Sequence, residues 1–321
     1  MRSSLRLLAV IPLVILASAL VFAQPQNAND APATSPQSPA KAESVSPIKL
    51  EPDASGAVSQ EQIRKLLSYA QDREVENEKR LRDYTYIERE EEQKLDGSGN
   101  VKKTETRTLE VLEVYGEPVE RLIEKGDRPL PADEANKEEE KIQKVMEKRK
   151  NESEGDRRKR LEKEEKEQQD DRKFVLEIAD AFNFRLIGSE ELDGRDTWVL
   201  EGEPRAGYEP KDRDARILLK FKGRVWIDKQ EAQWAKIDIT AIDTISVGWF
   251  LARIHKGSHV VAEQTKINDE VWLPKHVAVQ VDARLVLLKS VNENIDETFR
   301  DYKKFRADSK ITMTGEEKPE H

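Results

Sequence analysis

Apolar residues recur along this chain with two different periods, and each change of period marks a change of element. From Ser59 to about Arg82, Ile63, Leu66, Leu67, Ala70, Val75 and Leu81 return every three or four residues, behind Ser59 and Gln62 placed as a capping box. The spacing predicts an amphipathic helix with one face docked on a sheet. The period then falls to two. Tyr84 to Leu95, the turn Asp96-Gly97-Ser98-Gly99-Asn100 and Val101 to Tyr115 predict a long hairpin, and Gly116-Glu117-Pro118 turns the chain into a strand from Val119 to Lys125. These strands are heavily charged on one face. Between Pro131 and Arg172 almost every residue is Glu, Lys, Arg, Gln or Asp, which predicts a charged helical arm, one helix or two broken near Gly155.

Period two returns after a short docked helix read from Phe174, Val175, Ile178, Ala179 and Phe182. Phe184 to Glu190 and Thr197 to Glu201 flank the turn Asp193-Gly194-Arg195. Ile217, Leu219, Phe221, Val225 and Ile227 alternate with charged residues as a half-buried strand with a bulge at Gly223. Ala235, Ile237, Ile239 and Ala241 repeat the pattern. Val277, Val279, Val281, Ala283, Leu285 and Leu287 alternate with His276, Gln280, Asp282 and Arg284 as the cleanest strand of all. A last edge strand is read from about Ile295 to Ile311, through Tyr302 and Phe305. The fold class that follows is α+β: one large curved antiparallel sheet of about ten or eleven strands, an open or half β-barrel, wrapped around helices and carrying the inserted arm at about 131–173.

The N-terminus has a pattern of its own. Arg2 and Arg6 precede an apolar run from Leu7 to Phe22, and Val21-Phe22-Ala23 puts small or compact residues at the positions a signal peptidase reads, so residues 1–23 read as a cleavable signal peptide with Gln24 as the mature N-terminus. The apolar run is shorter than the ~20 residues of a spanning helix and contains Pro12. A Pro-, Ala- and Ser-rich linker follows at 24–57, the folded domain covers 58–313 and a disordered tail covers 314–321. The predicted location is the periplasm or the exterior.

Composition narrows the chemistry. A net charge of −9, made more negative by loss of Arg2 and Arg6, argues against nucleic acid and anionic membranes as partners. Cys is absent, which excludes disulfides, thiolate metal sites and a lipobox anchor. His255 and His259 have a zinc-helix spacing but flank Gly257 in a hairpin-like stretch, so they read as surface histidines, and His276 at a strand start reads as exposed. Glu88, Glu90 and Glu92 share one strand face and read as solvated. No nucleophile elbow or phosphate loop occurs, and the basic run Arg157 to Arg160 is cancelled by Glu162, Glu164 and Glu165. The expectation is a protein that is not an enzyme and holds no cofactor or metal. Val247-Gly248-Trp249-Phe250-Leu251 is apolar on both alternating faces, so it needs cover on both, from the core on one side and from a lid, ligand or partner on the other. Trp226, Trp234 and Trp272 fall on faces opposite the apolar ones, either shielded by helices or lining a groove.

The order helix, long hairpin, charged insertion, and then RVWIDKQEAQWAKIDI at Arg224 to Ile239, resembles the LolA/LolB/RseB-like superfamily of outer-membrane lipoprotein-sorting-like proteins, with Gly223, Trp226, Ile227 and Asp228 matching its G-x-x-W-I-D strand. TYIEREEEQKLDGSGNVKKTETRTLEV, GDRPLPADEANKEEEK, RIHKGSHVVAEQTKINDEVWLPKHV and FRDYKKFRADSKI resemble exported proteins of acidobacterial genomes that carry no assigned activity. The superfamily resemblance implies an unclosed barrel with a helical lid over an apolar cavity. It implies binding of an apolar ligand, a lipid or lipoprotein acyl chain, with Val247, Trp249, Phe250, Leu251, Leu285 and Leu287 as the candidate ligand-binding residues. The alternative is a periplasmic interaction or sensor module, its barrel filled by its own helices, whose arm docks a periplasmic or outer-membrane protein.

Overall fold

In a computed structural model, residues 48–81, 83–114, 117–210, 214–247, 252–285 and 289–304 are described. The chain enters by packing Ile48 and Leu50 on the main core, and strand β1 (Ala57–Val58) precedes helix α1 (Gln60–Leu81). Strands β2 (Tyr84–Leu95), β3 (Val101–Val114) and β4 (Glu117–Lys125) form a meander. Helices α2 (Ala132–Lys150) and α3 (Glu154–Ala181) make the arm. Strands β5 (Phe182–Leu192) and β6 (Arg195–Pro204) follow, then a 3₁₀ turn (Asp214–Lys220), β7 (Phe221–Asp228) and β8 (Trp234–Ala241). The chain continues through β9 (Ile245–Val247), β10 (Ala252–Ile254), β11 (His259–Ile267), β12 (Val271–Leu285) and β13 (Lys289–Lys304).

All these strands join one antiparallel sheet in the order β1-β5-β6-β7-β8-β11-β12-β13-β2-β3-β4, with the β9–β10 hairpin attached through β10 to the end of β12 beyond β11. Among the described strands β1 and β4 each have one neighbour, so the sheet is not closed. The α+β class and the open sheet match the sequence reading, with thirteen strands rather than ten or eleven. The signal peptide and most of the proposed linker lie outside the described residues.

Helix α1 forms where its period predicts. Ser59 Oγ accepts from the Gln62 amide at 3.3 Å, and Ile63 and Leu66 are 2% and 1% exposed against Ala179, Phe182, Leu200 and Ile227. Burying two such side chains contributes about 1.5 to 3 kcal/mol each. The far end of α1 is pinned to the sheet by Asn77, which donates to the Trp272 carbonyl at 2.6 Å and accepts from its amide at 2.7 Å. Helix α3 starts at Ser153, whose hydroxyl accepts from the Asp156 amide, and runs without a break into the core, so the separate short helix predicted around Phe174 is its C-terminal end. Helix α2 packs Ile142 on Val114 and Val119 of the sheet edge.

Three readings are corrected. The strand read from Ile217 starts only at Phe221. Residues 214–220 form the 3₁₀ turn, because the buried set Ala215, Leu218 and Phe221 has a spacing of three that the alternation of Ile217, Leu219 and Phe221 concealed. The irregularity of β7 against β8 falls at Trp226/Ile227 rather than at Gly223. Gly223 serves close approach instead, since a Cβ there would lie 2.1 Å from the Asp238 carbonyl oxygen. Finally, β13 is central, paired with both β12 and β2, rather than an edge strand.

Candidate functional site

The site builds from one cross-strand row. Leu186, Leu200, Val225, Ile237, Ala262 and Val277 lie opposite one another from β5 to β12 and therefore share a sheet face. The same row continues through Glu297 on β13, Glu90 on β2 and Arg107 on β3. One face of one sheet thus passes from apolar to charged between β12 and β13. Over the apolar half lie α1 and the end of α3, and beside them Val260, Val279 and Val281 form a second buried cluster with Ile245, Ile254 and Ala283 under Ile217 of the 3₁₀ turn.

The charged half corrects the solvated reading of Glu88, Glu90 and Glu92. One carboxylate oxygen each from Glu88, Glu90 and Glu297 lie within 4.8 Å of one another, and all three residues are partly buried. Burial, followed by repulsion from Glu297, Glu120 and Glu90, pushes the Glu88 carboxyl up to about 8 against the pull of Arg107. Burial and the charges of Glu90 and Glu120 push Glu297 up to about 7. Arg107 donates to both oxygens of Glu90, at 2.6 and 2.5 Å. Next on the same face, Tyr86 is 6% exposed, with its ring against Phe299 and Tyr302 at centroid distances of 6.1 and 5.2 Å. Burial and the neighbouring carboxylates raise its phenol well above the ordinary value.

The G-x-x-W-I-D strand has a structural explanation. Trp226 is buried and donates Nε1–H to Glu190 at 2.7 Å, and Ile227 is in the main core. Asp228, fully buried, accepts from Arg195 Nε at 2.8 Å and from the amides of Gln230 and Glu231 at 3.0 and 2.7 Å, joining the β5–β6 turn to the β7–β8 turn. Trp234 and Trp272 are buried as well, and the Arg195 guanidinium lies 5.2 Å over the Trp272 ring. A recess of about 280 Å³ opens here beside Arg195, Gln264, Lys266 and Asp269. A second, of about 370 Å³, lies between Glu120 on β4 and Lys141, Lys148 and Arg149 on α2. Both are bordered mainly by polar and charged groups.

Of the predicted ligand-binding residues, Trp249, Phe250, Leu251 and Leu287 lie outside the described residues. Val247 and Leu285 are placed by their backbones alone: both pair with Ala252, so they occupy one row, two positions beyond the buried row of Ile245, Ile254 and Ala283. The histidines pair with different aspartates, His259 Nε2 with Asp238 at 2.7 Å, His276 Nε2 with Asp296 at 2.7 Å and His255 Nδ1 with Asp282 at 3.2 Å. Sequence reasoning missed Glu297, because a strand read as an edge has no second neighbour to set it against. One signal was available: Tyr84 and Tyr86 have the same parity as Glu88, Glu90 and Glu92, and buried tyrosines on a strand place its glutamates on the inner face.

No protein-family profile and no curated protein matches the chain. Among solved structures, the chain is similar to a putative outer membrane lipoprotein-sorting protein domain from Vibrio parahaemolyticus, at 14% identity over 78% of this chain and 95% of that one, with a TM-score of 0.33. It is also similar to a LolA superfamily protein from Nitrosomonas europaea, at 12% identity over 76% and 93% with a TM-score of 0.29. A DUF1329 family protein from Desulfovibrio piger matches at 12% identity over 78% and 94% with a TM-score of 0.30. Among the described residues no helix is long and apolar enough to cross a membrane.

Proposed function

We propose that the chain is an exported, non-catalytic binding protein whose concave sheet face takes the apolar part of an amphiphilic ligand, a lipid or a lipoprotein acyl chain. The observation that carries this reading is the unbroken apolar floor from β5 to β12, roofed by separate helices and a 3₁₀ turn rather than by a second sheet. A floor of that kind keeps its apolar contacts whether a helix or an acyl chain lies on it. In this reading Val247, Trp249, Phe250, Leu251, Leu285 and Leu287 are the residues that contact the ligand. The test is titration of the mature chain with a fluorescent fatty acid analogue. Replacing Trp249 and Phe250 by Ala together is expected to weaken binding by roughly 2 to 4 kcal/mol, with the far-ultraviolet spectrum unchanged. A wild-type protein that binds no analogue ends the reading.

A second reading has its own support. Helices α1 and α3 already occupy the concavity over β5 to β8, and the recesses are polar, as expected of a self-filled interaction module. There the arm docks a periplasmic or outer-membrane protein. Charge reversal at the exposed Arg158 and Lys159 of α3 would then abolish capture of that partner while leaving any lipid titration untouched.

A further inference from the structure

The recess of about 280 Å³ beside Trp272 is walled by the β5–β6 turn from Leu192 to Arg195, by the start of β8 at Ala235, and by the β11–β12 hairpin. In that hairpin Gln264 lies opposite Pro274 and Lys266 opposite Trp272. Gln264, Lys266 and Trp272 therefore stand on one sheet face, and all three line the recess. Gln264 is 5% exposed, and its Oε1 has no hydrogen-bond partner among the described residues. A buried amide oxygen without a donor is costly, and at the wall of a recess the donor can come from whatever occupies it.

The cations around the recess are matched within the protein. Arg195 donates to Asp228 from Nε at 2.8 Å and from Nη2 at 3.0 Å. Lys266 donates to Glu231, whose other oxygen accepts from Trp272 Nε1 at 2.9 Å. Lys275 donates to both oxygens of Asp193, at 2.7 and 2.9 Å. Three cations thus face three carboxylates, and Asp269, exposed on the β11–β12 turn, adds one further charge. The lining exerts little net field on a ligand, yet it keeps hydrogen-bonding capacity: Arg195 Nη1 takes part in none of these bonds, and the Lys266 ammonium has further N–H groups. Asp228 and the Trp272 ring, 5.2 Å from the guanidinium, hold Arg195 in place before a ligand arrives.

We propose that this recess binds one neutral sugar ring, with a ring hydroxyl donating to Gln264 Oε1 and neighbouring hydroxyls accepting from Arg195 Nη1 and Lys266 Nζ. A hydroxyl both donates and accepts, which suits a lining that offers both without net charge. A carboxylate or phosphate would gain little from cations that already have partners, and an ammonium would meet the donors of Arg195 and Lys266 beside the Gln264 oxygen. Leu192 and Ala235 give the C–H face of a ring an apolar contact. The volume lies just below the roughly 300 Å³ at which pockets for drug-sized ligands begin, so it suits one ring rather than a chain. This site is independent of the amphiphile reading, since it uses none of the apolar floor.

The experiment is saturation-transfer NMR on the mature full-length chain with glucose, galactose and N-acetylglucosamine, and with glucuronate and protonated glucosamine as charged forms of the same ring. At least one neutral sugar is expected to give a saturable signal with a Kd of about 1 mM, the strength that roughly a dozen non-hydrogen atoms reach at ordinary ligand efficiency. Both charged forms should bind more weakly. Gln264→Leu should lose at least about tenfold in affinity and unfold at the same or a higher temperature, because a buried unpaired amide is gone. Leu192→Trp, which sets a ring in the recess from a partly exposed position, should block binding in a folded chain and keeps the test decisive if Gln264→Leu folds poorly. Methyl glycosides separate the sources: equal binding assigns the ring to a glycan chain, and its loss assigns it to a free sugar. The proposal is overturned by no saturable transfer from any neutral sugar up to about 20 mM, by tighter binding of glucuronate or glucosamine, or by wild-type affinity in either variant.

Discussion

The two halves of the concave face share backbone geometry, strand pairing and parity, and differ only in side chains. From β5 to β12 the row reads Leu, Leu, Val, Ile, Ala, Val and lies under helices; from β13 to β3 it reads Glu, Glu, Arg and carries buried charge. The apolar half gains free energy from excluding water. The charged half gains less, because its partly buried carboxylates carry part of their desolvation cost, which Arg107 offsets at Glu90. Apolar stabilisation therefore resides mainly in the first half.

The largest effect separating them is expected at Val281, 3% exposed on β12 in the apolar half. Val281→Asp places a charge there with no cation in the buried cluster around it, and is expected to cost about 3 to 5 kcal/mol in chemical denaturation. An unchanged midpoint would put the strand in the opposite phase. Changes of Glu88 and Glu297 to neutral Gln are expected to act in the other direction, so the sign of the effect alone distinguishes the halves.

A smaller effect is expected from pH. Glu74 on α1, 2% exposed, accepts from Gln233 and is pushed up to about 8 by burial, against the hydrogen bonds from Gln233 and Asn77. Its value in the folded state is above the ordinary 4.5, so the folded chain holds the proton longer than the unfolded chain. Stability from this group is complete below about 4.5 and is lost as the pH rises through about 8. Glu74→Gln should flatten that part of the stability–pH curve, measured as the urea midpoint at intervals between these limits. A wild-type midpoint that climbs over the same interval, with no flattening in the variant, contradicts the assignment.

What the sequence revealed followed physical range. Periodicity is local, so α1, the β2–β3 hairpin, the arm and the phase of β12 could be read from it. Pairing partners are set by contacts distant in the chain, so the central place of β13, and with it the meeting of Glu297 and Glu90, could not. The glutamates of β2 illustrate the difference. Their alternation was plain, but which face was buried depended on Phe299 and Tyr302, contributed by a strand some two hundred residues away. The apolar segment Val247 to Leu251, read as a two-sided strand, lies outside the described residues apart from Val247, whose backbone pairs in register with Ala252.

The smallest effect is expected where the charged half runs out into water. Glu105 on β3 lies opposite Glu92 in the row next to that of Glu90, but its side chain is 37% exposed and bonds Lys94 at 2.6 Å and Lys103 at 2.8 Å. The hydrogen bonds from Lys103 and Lys94, against a small burial penalty, bring its carboxyl down to about 2. The linkage is thus opposite in sign to that of Glu74: its contribution is complete above the ordinary 4.5 and is lost as the pH falls toward about 2. Water screens so exposed a pair, so Glu105→Gln is expected to cost only about 0 to 1 kcal/mol at neutral pH and to shrink further in high salt. A larger, salt-insensitive loss at Glu105 would mean that burial of the charged half extends to the end of β3, and that the contrast between the halves is between two interiors.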